Sequence, residues 1–358
     1  MSTVRLGVIG CGGITRAHLP SLRGNSDLIS PELRAFAEQT ELRAACDVDA
    51  KRADSVRAEY GGAYATADPE RVFTDPDVDA VLITTWHDTH APFSLRAMEC
   101  GKHVLIEKPM AMTLQECDDI LAAEARSGMK YMVAFRCRFA QGASDVHREI
   151  PQPDNTVAFA RVNCVWPESI WAQDPVKGGG QILSQGCHVV DMMFYLAGSE
   201  PEALWATGGV FHHERQPEPV DTLNVAIRYR NGSVGAFIGG DGGQARLLPP
   251  GTYAACPFWV LVTDKGRSGL AIDHGQNARF ETCVPSEEWA PPYEERNYSA
   301  EIGDGKASGM PDILPTFAKS ILNDEPPPAT AYDGARTTRF LLRAFESAQT
   351  GKLITWEY

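Results

Sequence analysis

The feature that most constrains this chain is a short apolar run that is followed at once by glycines. Val4–Ile9 reads VRLGVI, which is typical of a strand buried on both faces of a parallel sheet. Gly10, Gly12 and Gly13 come directly after it. Because glycine has no Cβ, Gly10 can make a tight turn and Gly12 can let the backbone approach a phosphate, which the N–H groups of a helix starting near Ile14 then meet. The pattern indicates a strand–turn–helix unit that can bind a dinucleotide.

A second strand pattern ends in a carboxylate. Leu42–Cys46 reads LRAAC, and Asp47 follows it, where it can accept hydrogen bonds from the ribose diol of an adenosine. The chain before this strand is longer than the usual spacing of about 20 residues and carries its own helical pattern, PELRAFAEQ. An aspartate here favours NAD because it repels the additional phosphate of NADP. Lys51 and Arg52 leave NADP open, and the alternative for both is a solvated helix start.

Strand and helix patterns alternate along the first part of the chain. Val78–Thr85 and the run HVLIEKP read as further strands, and helical patterns separate them. This alternation predicts an α/β Rossmann domain over residues 1–135, with a doubly wound parallel sheet and a ligand beyond the carboxyl ends of its strands. Residues at or near these ends are the candidate cofactor-binding residues: Gly10, Gly12, Gly13, Ile14, Asp47, Arg52, Thr85, Trp86, His87, His90, Glu107 and Lys108. The alternative for His87 and His90 is that they start a helix.

The second part of the chain has a different pattern of predicted secondary structure. From about Thr156 the patterns are strand-like and separated by turns, and the pair Asn231–Gly232 is a hairpin signal. We expect residues 136–358 to form an α+β domain for substrate binding and oligomerisation, with a large, mostly antiparallel, open sheet. The last helix is free to pack back on the first domain. The open face of the sheet predicts a homo-oligomer, either a dimer or a tetramer.

One helix pattern between these strands carries polar residues on a single face. In GGGQILSQGCHVVDMMFYLAG, Ser184, His188 and Asp191 recur at i, i+4 and i+7. Apolar residues such as Ile182 and Val189 occupy much of the remaining surface. The alternative for His188 is a structural histidine whose hydrogen bonds are satisfied in the core.

Composition restricts the partners. The length of 358 residues and the hydrophobic content of 43% suit two domains. The formal net charge of -14 argues against nucleic acid or an anionic membrane as a partner. The N-terminus has no basic region followed by an apolar one, and no apolar run approaches the ~18 residues of a membrane span. We therefore expect the cytoplasm as the location.

The cysteines and histidines do not predict a metal site. The nine cysteines include no C-x-x-C pair, as is typical of reduced, buried thiols. His212, His213 and Glu214 are adjacent, but neighbouring side chains on a strand point to opposite faces and no third ligand is spaced to join them.

Taken together, the motifs resemble one family. GVIGCGGI, the strand-ending Asp47, HVLIEKP, VAFRCRF and the helix GGG-x-x-x-S-x-G-x-H-x-x-D resemble the Gfo/Idh/MocA family of NAD(P)-dependent oxidoreductases. The resemblance runs from about Val4 to the final helix near Ala344, with the motifs in the same order.

The resemblance implies roles for individual residues. Lys108 matches the lysine that lies between nicotinamide and substrate, His188 matches the residue that exchanges the substrate proton, and Glu107 would lie beside the cofactor. The Lys108–Pro109 peptide is often cis in relatives. On the substrate side, the candidates are Ser184, Gln185, Asp191, Arg138 and Trp171. Asp191 matches a position close to the sugar, and its alternative is a helix-side hydrogen bond without substrate contact; the alternative for Trp171 is ordinary core packing.

The chain departs from the family pattern at three places. Thr15 stands at the third position of G-x-G-x-x-G/A, for which we expect slightly wider packing of helix against strand. Ser184 stands where many relatives have an aspartate, and serine cannot supply the same negative charge to the histidine one turn later. Thr85, Trp86 and His87 replace the common Thr-Pro-Asn, so an aromatic ring is expected in the adenosine or ribose part of the pocket; the alternative for Trp86 is plain packing.

The predicted function is hydride transfer between a ring carbinol carbon of a sugar, sugar derivative or cyclitol and NAD, with Lys108 and His188 handling the hydroxyl proton. One alternative is an NAD-dependent glycosidase that retains its cofactor and uses the same lysine without net redox change. A second is a non-catalytic dinucleotide-binding sensor, in which neither residue has a required role.

Overall fold

The structure, a computed structural model, describes residues 3–23, 26–150, 157–163, 170–211, 220–240, 258–264, 267–272, 275–282 and 294–356. The chain divides into two compact units. The first contains Met1–Phe135 and Met310–Thr338, and the second contains Arg136–Gly309 and Arg339–Tyr358. The segment 310–338, which the sequence-based ranges assign to the second domain, therefore groups with the first unit.

The first unit is built on a six-stranded sheet. Its strands are β1 (Val4–Ile9), β2 (Thr40–Cys46), β3 (Tyr64–Thr66), β4 (Ala80–Ile83), β5 (His103–Ile106) and β6 (Tyr131–Val133). They lie in the order β3-β2-β1-β4-β5-β6, and every pair is parallel. This is the doubly wound arrangement predicted from the sequence, which is thereby confirmed. The short strand β3 was not predicted, because three residues carry no readable pattern.

Helices connect these strands. They are α1 (Gly13–His18), α2 (Arg34–Glu38), α3 (Ala50–Tyr60), α4 (Pro69–Phe73), α5 (His90–Glu99) and α6 (Leu114–Ser127). Local chemistry sets their limits. For example, Thr113 and Glu116 form a capping box at the start of α6, and Gly128, at φ 67°, ends that helix.

The core of the first unit lies along its central strands. Leu6 in β1, Leu82 in β4 and Leu105 in β5 are all 0% exposed. Strands covered on both faces read as continuous apolar runs, which explains why VRLGVI, AVLI and HVLI were recognisable in the sequence. Each such side chain contributes about 1.5–3 kcal/mol on burial.

The second unit contains a nine-stranded sheet in the described residues. Its strands are β7 (Val157–Asn163), β8 (Pro201–Gly209), β9 (Thr222–Tyr229), β10 (Val234–Gly240), β11 (Phe258–Asp264), β12 (Arg267–Ile272), β13 (Asn277–Thr282), β14 (Glu294–Arg296) and β15 (Ile354–Thr355). The order is β14-β13-β12-β11-β7-β10-β9-β8-β15, and only the pair β7–β10 is parallel. The predicted large, mostly antiparallel sheet is confirmed, and Gly232, at φ 86°, lies in the turn of the β9–β10 hairpin.

The remaining helices are α7 (Gln141–Glu149), α8 (Gly180–Ala197), α9 (Tyr298–Ile302), α10 (Asp304–Ala307), α11 (Ile313–Leu322) and α12 (Ala331–Thr350). Helix α8 packs on β7, β10 and β11. The first residues of α12 belong to the first unit, where Gly334 leaves no room for a side chain: a Cβ there would lie 2.8 Å from the Met110 sulfur and from Val133 Cγ2. Among the described residues, no helix has both the length and the apolar character needed to cross a bilayer.

Candidate active site

The predicted cofactor residues of the first unit lie along one edge of its sheet. Strands β2, β1, β4 and β5 are neighbours and parallel, so their carboxyl ends meet at this edge. Asp47 follows β2, Gly10 follows β1, Thr85 lies just past β4, and Lys108 lies just past β5. The four strands span about 14 Å, at ~4.8 Å between neighbours. The edge is therefore long enough for an extended ligand.

The turn after β1 requires a glycine at its first position. Gly10 has φ 93°, and a Cβ there would lie 2.7 Å from the carbonyl oxygen of Thr84. Thr15 closes this turn, since its hydroxyl donates to the Gly10 carbonyl at 2.8 Å and lies 2.8 Å from the Thr84 hydroxyl. Thr15 is fully buried, so its polar group is used in the packing of α1 against β1 and β4.

The start of α1 leaves its backbone accessible. Gly12 caps the helix with extended backbone angles, and a Cβ placed on Gly12 or Gly13 would meet no atom within 4 Å. Space beside exposed N–H groups is what a phosphate needs.

Asp47 is held at the end of β2 by two backbone groups. Its Oδ2 accepts the N–H of Cys11 at 2.7 Å, and its Oδ1 accepts the N–H of Asp49 at 2.8 Å. The side chain is buried, with 9% exposure. Each carboxylate oxygen keeps further lone pairs, so the group can still accept hydrogen bonds from a ribose diol.

Two cavities lie along this edge. One, of about 350 Å³, is lined by Gly10, Gly12, Asp47, Thr85 and Trp86, which follow β1, β2 and β4, and by Arg52 of α3. The second, of about 430 Å³, is lined by Cys11, Gly12, Gly13, Arg16, Lys51, Arg52 and Ser55. Trp86 is 46% exposed beside the first cavity. The glycine cradle, the fixed carboxylate and the adjoining cavities fit a bound NAD.

Two predicted cofactor residues lie behind the turn after β4. His90 is fully buried; its Nδ1 lies 2.7 Å from the Pro109 carbonyl oxygen and its Nε2 lies 3.2 Å from that of Thr85. His87 is 5% exposed, and its ring centroid lies 5.4 Å from that of His90. Neither histidine lines the two cavities. His90 instead connects the turn after β4 to the turn that carries Lys108.

The lysine turn is built from buried groups. Lys108–Pro109 is a cis peptide, as expected from the resemblance, and Lys108 itself is half-buried. Glu107 is buried; its Oε1 lies 2.7 Å from His18 Nε2, and its Oε2 accepts the Lys108 N–H at 3.2 Å. Burial by itself would raise the pKa of Glu107, but the hydrogen bond from His18 and the nearby charges outweigh it and lower that pKa.

His18 is a residue that the sequence did not single out. It is the last residue of α1 and is fully buried. Its partner Glu107 is 89 positions away along the chain, so no local pattern could have paired them.

In the second unit, glycines set the start of α8. A Cβ on Gly178 would lie 2.2 Å from the Cα of Ala172, so the chain passes directly over the turn that contains Trp171. Gly179 and Gly180 follow with φ of 73° and 84°. Glycine is therefore needed here for two reasons: Gly178 lies too close to another segment for a side chain, and Gly179 and Gly180 have a left-handed backbone.

The polar face of α8 forms as predicted. Ser184 and His188 are 3% and 5% exposed, and Gln185 beside them is half-buried. The His188 ring lies edge-on to Phe258 of β11, with 6.4 Å between centroids. The sheet thus holds the imidazole from one side.

Asp191 and Arg138 pair with one another. Arg138 Nε donates to Asp191 Oδ2 at 2.7 Å, and Nη2 donates to Oδ1. Asp191 is 0% and Arg138 is 8% exposed. This buried contact through two hydrogen bonds is similar to the alternative given above for Asp191, a hydrogen bond beside the helix without substrate contact. It holds the 3-10 turn Arg136–Phe139 against α8.

The described residues contain no group of three His, Cys, Asp or Glu side chains placed to hold a metal ion. His212, His213 and Glu214 lie outside the described residues.

Both parts of the chain match descriptions of one family. Residues 4–135 match the oxidoreductase family with the NAD-binding Rossmann fold, and residues 156–242 match the GFO/IDH/MocA C-terminal domain. The chain belongs to the Gfo/Idh/MocA family. As a member, it is an NAD(P)-dependent oxidoreductase that acts on CH–OH groups, and NAD is its cofactor.

Named relatives extend over nearly the whole of this Gfo/Idh/MocA chain. Myo-inositol 2-dehydrogenase of Thermotoga maritima is 25% identical over 341 residues, which cover 92% of each protein. An oxidoreductase domain protein from Kribbella flavida has a TM-score of 0.85 at 19% identity and full coverage of both chains. Levoglucosan dehydrogenase, solved with NADH and levoglucosan, has a TM-score of 0.82 at 19% identity with 99% coverage of each chain. The two structural matches support the fold.

Proposed function

We propose that this protein transfers a hydride between a ring hydroxyl carbon of a sugar, sugar derivative or cyclitol and NAD. Lys108 carries the proposal, because it follows β5 at the sheet edge that also holds the glycine turn and Asp47. The name of the Thermotoga maritima relative, a myo-inositol 2-dehydrogenase, supports the substrate class. No nucleic acid or membrane partner is part of the proposal.

When bound, NAD supplies the hydride acceptor, and the protein supplies positioning and proton transfer. Lys108 Nζ hydrogen-bonds the reacting hydroxyl, and His188 takes its proton. Holding the reacting atoms in place can be worth about 7–11 kcal/mol of the barrier. The buried contacts of Glu107 and His90 to the lysine turn supply rigidity for that task.

The remaining predicted residues have proposed roles on either side of the reacting carbon. Asp47 accepts the adenosine ribose hydroxyls, and Trp86 covers that part of the cofactor. On the substrate side, Ser184 and Gln185 hydrogen-bond hydroxyl groups and Trp171 stacks on a sugar face. Arg138 and Asp191 hydrogen-bond each other, and their proposed role is to orient α8.

The test is the rise in absorbance at 340 nm when purified protein, NAD and a panel of myo-inositol, scyllo-inositol, levoglucosan and aldoses are mixed. A rise that is lost in Lys108→Met and retained in Lys352→Met, a change at an exposed lysine, is the expected result. No rise with any polyol, together with release of tightly bound nucleotide on denaturation, would favour the retained-cofactor alternative.

We also propose that the open face of the nine-stranded sheet binds a second copy of the chain. On this face, apolar residues lie opposite one another on six neighbouring strands and form a continuous row. The row consists of Trp205, Ala226, Ala236, Phe159, Leu261 and Leu270. Trp205 and Phe159 are 45% and 42% exposed, and Val234 and Ile238 nearby are 51% and 41% exposed. A large exposed apolar patch of this kind favours association, and a closed symmetric dimer or tetramer covers it.

A further inference from the structure

A buried histidine outside the predicted site contacts the residue that precedes Lys108. His18 Nε2 lies 2.7 Å from Glu107 Oε1. The backbone N–H of Glu107 donates to the Ile83 carbonyl at 2.9 Å, and its Oε2 accepts the Lys108 N–H. Glu107 therefore connects the end of α1, the end of β4 and the lysine turn.

Burial makes this contact consequential. His18 is 0% exposed and Glu107 is 7% exposed. A carboxylate away from water is tolerated only when it is hydrogen-bonded or paired, and removing its partner leaves the full desolvation cost. In the described part of the chain, Nδ1 of His18 has no hydrogen-bond partner, so the ring is held through Nε2.

Helix α1 connects the glycine turn after β1 to the turn that carries Lys108. Its six residues rise about 9 Å in all. The first residue, Gly13, follows Gly12 at the proposed diphosphate turn, and the last residue, His18, touches Glu107. One rigid turn-and-a-half of helix thus reaches from the glycine turn to the lysine turn.

We propose that His18 is a positioning residue for Lys108: by holding Glu107, it fixes the Lys108–Pro109 turn relative to the glycine turn at the start of α1. The inference rests on the proposed function of Lys108. It assigns His18 no contact with substrate.

The first test is His18→Leu, which removes the donor to Glu107. A misplacement of about 1 Å can cost about 100-fold in rate, so kcat is expected to fall about 10- to 100-fold while KM for NAD changes by less than about threefold. In His18→Gln the amide nitrogen can replace the imidazole Nε2 as donor, and kcat should return to within about fivefold of wild type. Equal loss in both variants would overturn the proposal.

The double variant His18→Leu with Glu107→Gln separates positioning from stability. It leaves no buried charge without a partner, so the melting temperature should recover relative to His18→Leu alone. The proposal expects kcat to stay low in this stable protein, because the turn is still not held. Recovery of kcat together with the melting temperature would show a purely structural pair.

Hydrogen exchange gives a readout that does not depend on any substrate. Peptides covering residues 105–112 should exchange faster in His18→Leu than in wild type and normally in His18→Gln. His103→Leu is the matched control, because His103 begins the same strand at the opposite edge. Unchanged exchange in His18→Leu would refute the positioning role. A wild-type protein that reduces no NAD with any polyol would refute the proposed function, and the exchange data would still decide the role of His18.

Discussion

At the residue scale, two glycines two positions apart serve different purposes. Gly10 is required by the fold, since its φ is 93° and a Cβ would lie 2.7 Å from the Thr84 carbonyl oxygen. Gly12 has ordinary extended angles and open space around it. Its lack of a side chain matters to a ligand and hardly to the folded chain.

Paired substitutions test this division. Gly10→Ala is expected to lower the free energy of unfolding by about 3 kcal/mol, from backbone strain plus steric overlap. Gly12→Ala should change it by less than about 0.5 kcal/mol but raise the Kd for NAD about tenfold or more, because the methyl group keeps phosphate away from the backbone. Urea unfolding and NADH fluorescence titration measure the two effects. A stable Gly10→Ala, or a Gly12→Ala that binds NAD normally, would contradict the assignment.

The predictability of these residues also differs. Gly10, Asp47 and Lys108 were predicted correctly at strand ends. A buried parallel strand is a continuous apolar run, so a change to glycine or polar residues marks where it ends. The buried positions of His90 and His18 were not predictable. Their contacts to Pro109 and Glu107 span 19 and 89 positions and depend on which strands become neighbours.

At the element scale, His90 ties the turn after β4 to the turn after β5, and its burial has a pH consequence. Burial lowers the pKa of His90, despite its hydrogen bonds to the carbonyl groups of Pro109 and Thr85. Between this lowered pKa and about 6.5, the unfolded chain binds a proton that the folded chain does not. The stability contribution is therefore complete above about pH 6.5 and is lost as the pH falls below it.

Comparison of wild type with His90→Asn isolates this effect. Asparagine can keep the donor to Pro109 without titrating. Between pH 7.5 and 5, the free energy of unfolding of wild type should fall more than that of the variant, with an extra slope of at most about 1.4 kcal/mol per pH unit. Parallel curves from denaturant titrations would mean that His90 does not titrate on unfolding in this range.

The start of α8 gives a second prediction at this scale. Gly178→Ala would place a Cβ 2.2 Å from Ala172 Cα. Gly180→Ala would instead put a side chain on a backbone that is already left-handed, with no atom within 4 Å of the new Cβ. We expect losses of about 3 kcal/mol or more for the former and about 1–2 kcal/mol for the latter, measured by urea unfolding. The reverse order would show that the chain does not pass as closely over the Trp171 turn.

At the scale of the whole molecule, the exposed apolar row across the large sheet leads to a test of assembly. Phe159→Glu and Ile238→Glu place charges on the outward face of β7 and β10. Light scattering after size-exclusion chromatography should show a smaller species than wild type, because each charge would have to be desolvated in the interface. Leu28→Glu, at a residue of the first unit that is 37% exposed and lies outside the large sheet, is the control and should leave the mass unchanged.

The sequence by itself determined the two sheets, the glycine turn, the carboxylate after β2 and the polar face of α8, because periodicity and glycine placement are local properties of the chain. It did not reveal the pairing of Arg138 with Asp191, the contact of His18 with Glu107, or the grouping of residues 310–338 with the first unit. Those depend on long-range packing, in which a partner is chosen by the space and charge left when distant segments meet. Tertiary structure alone decided them.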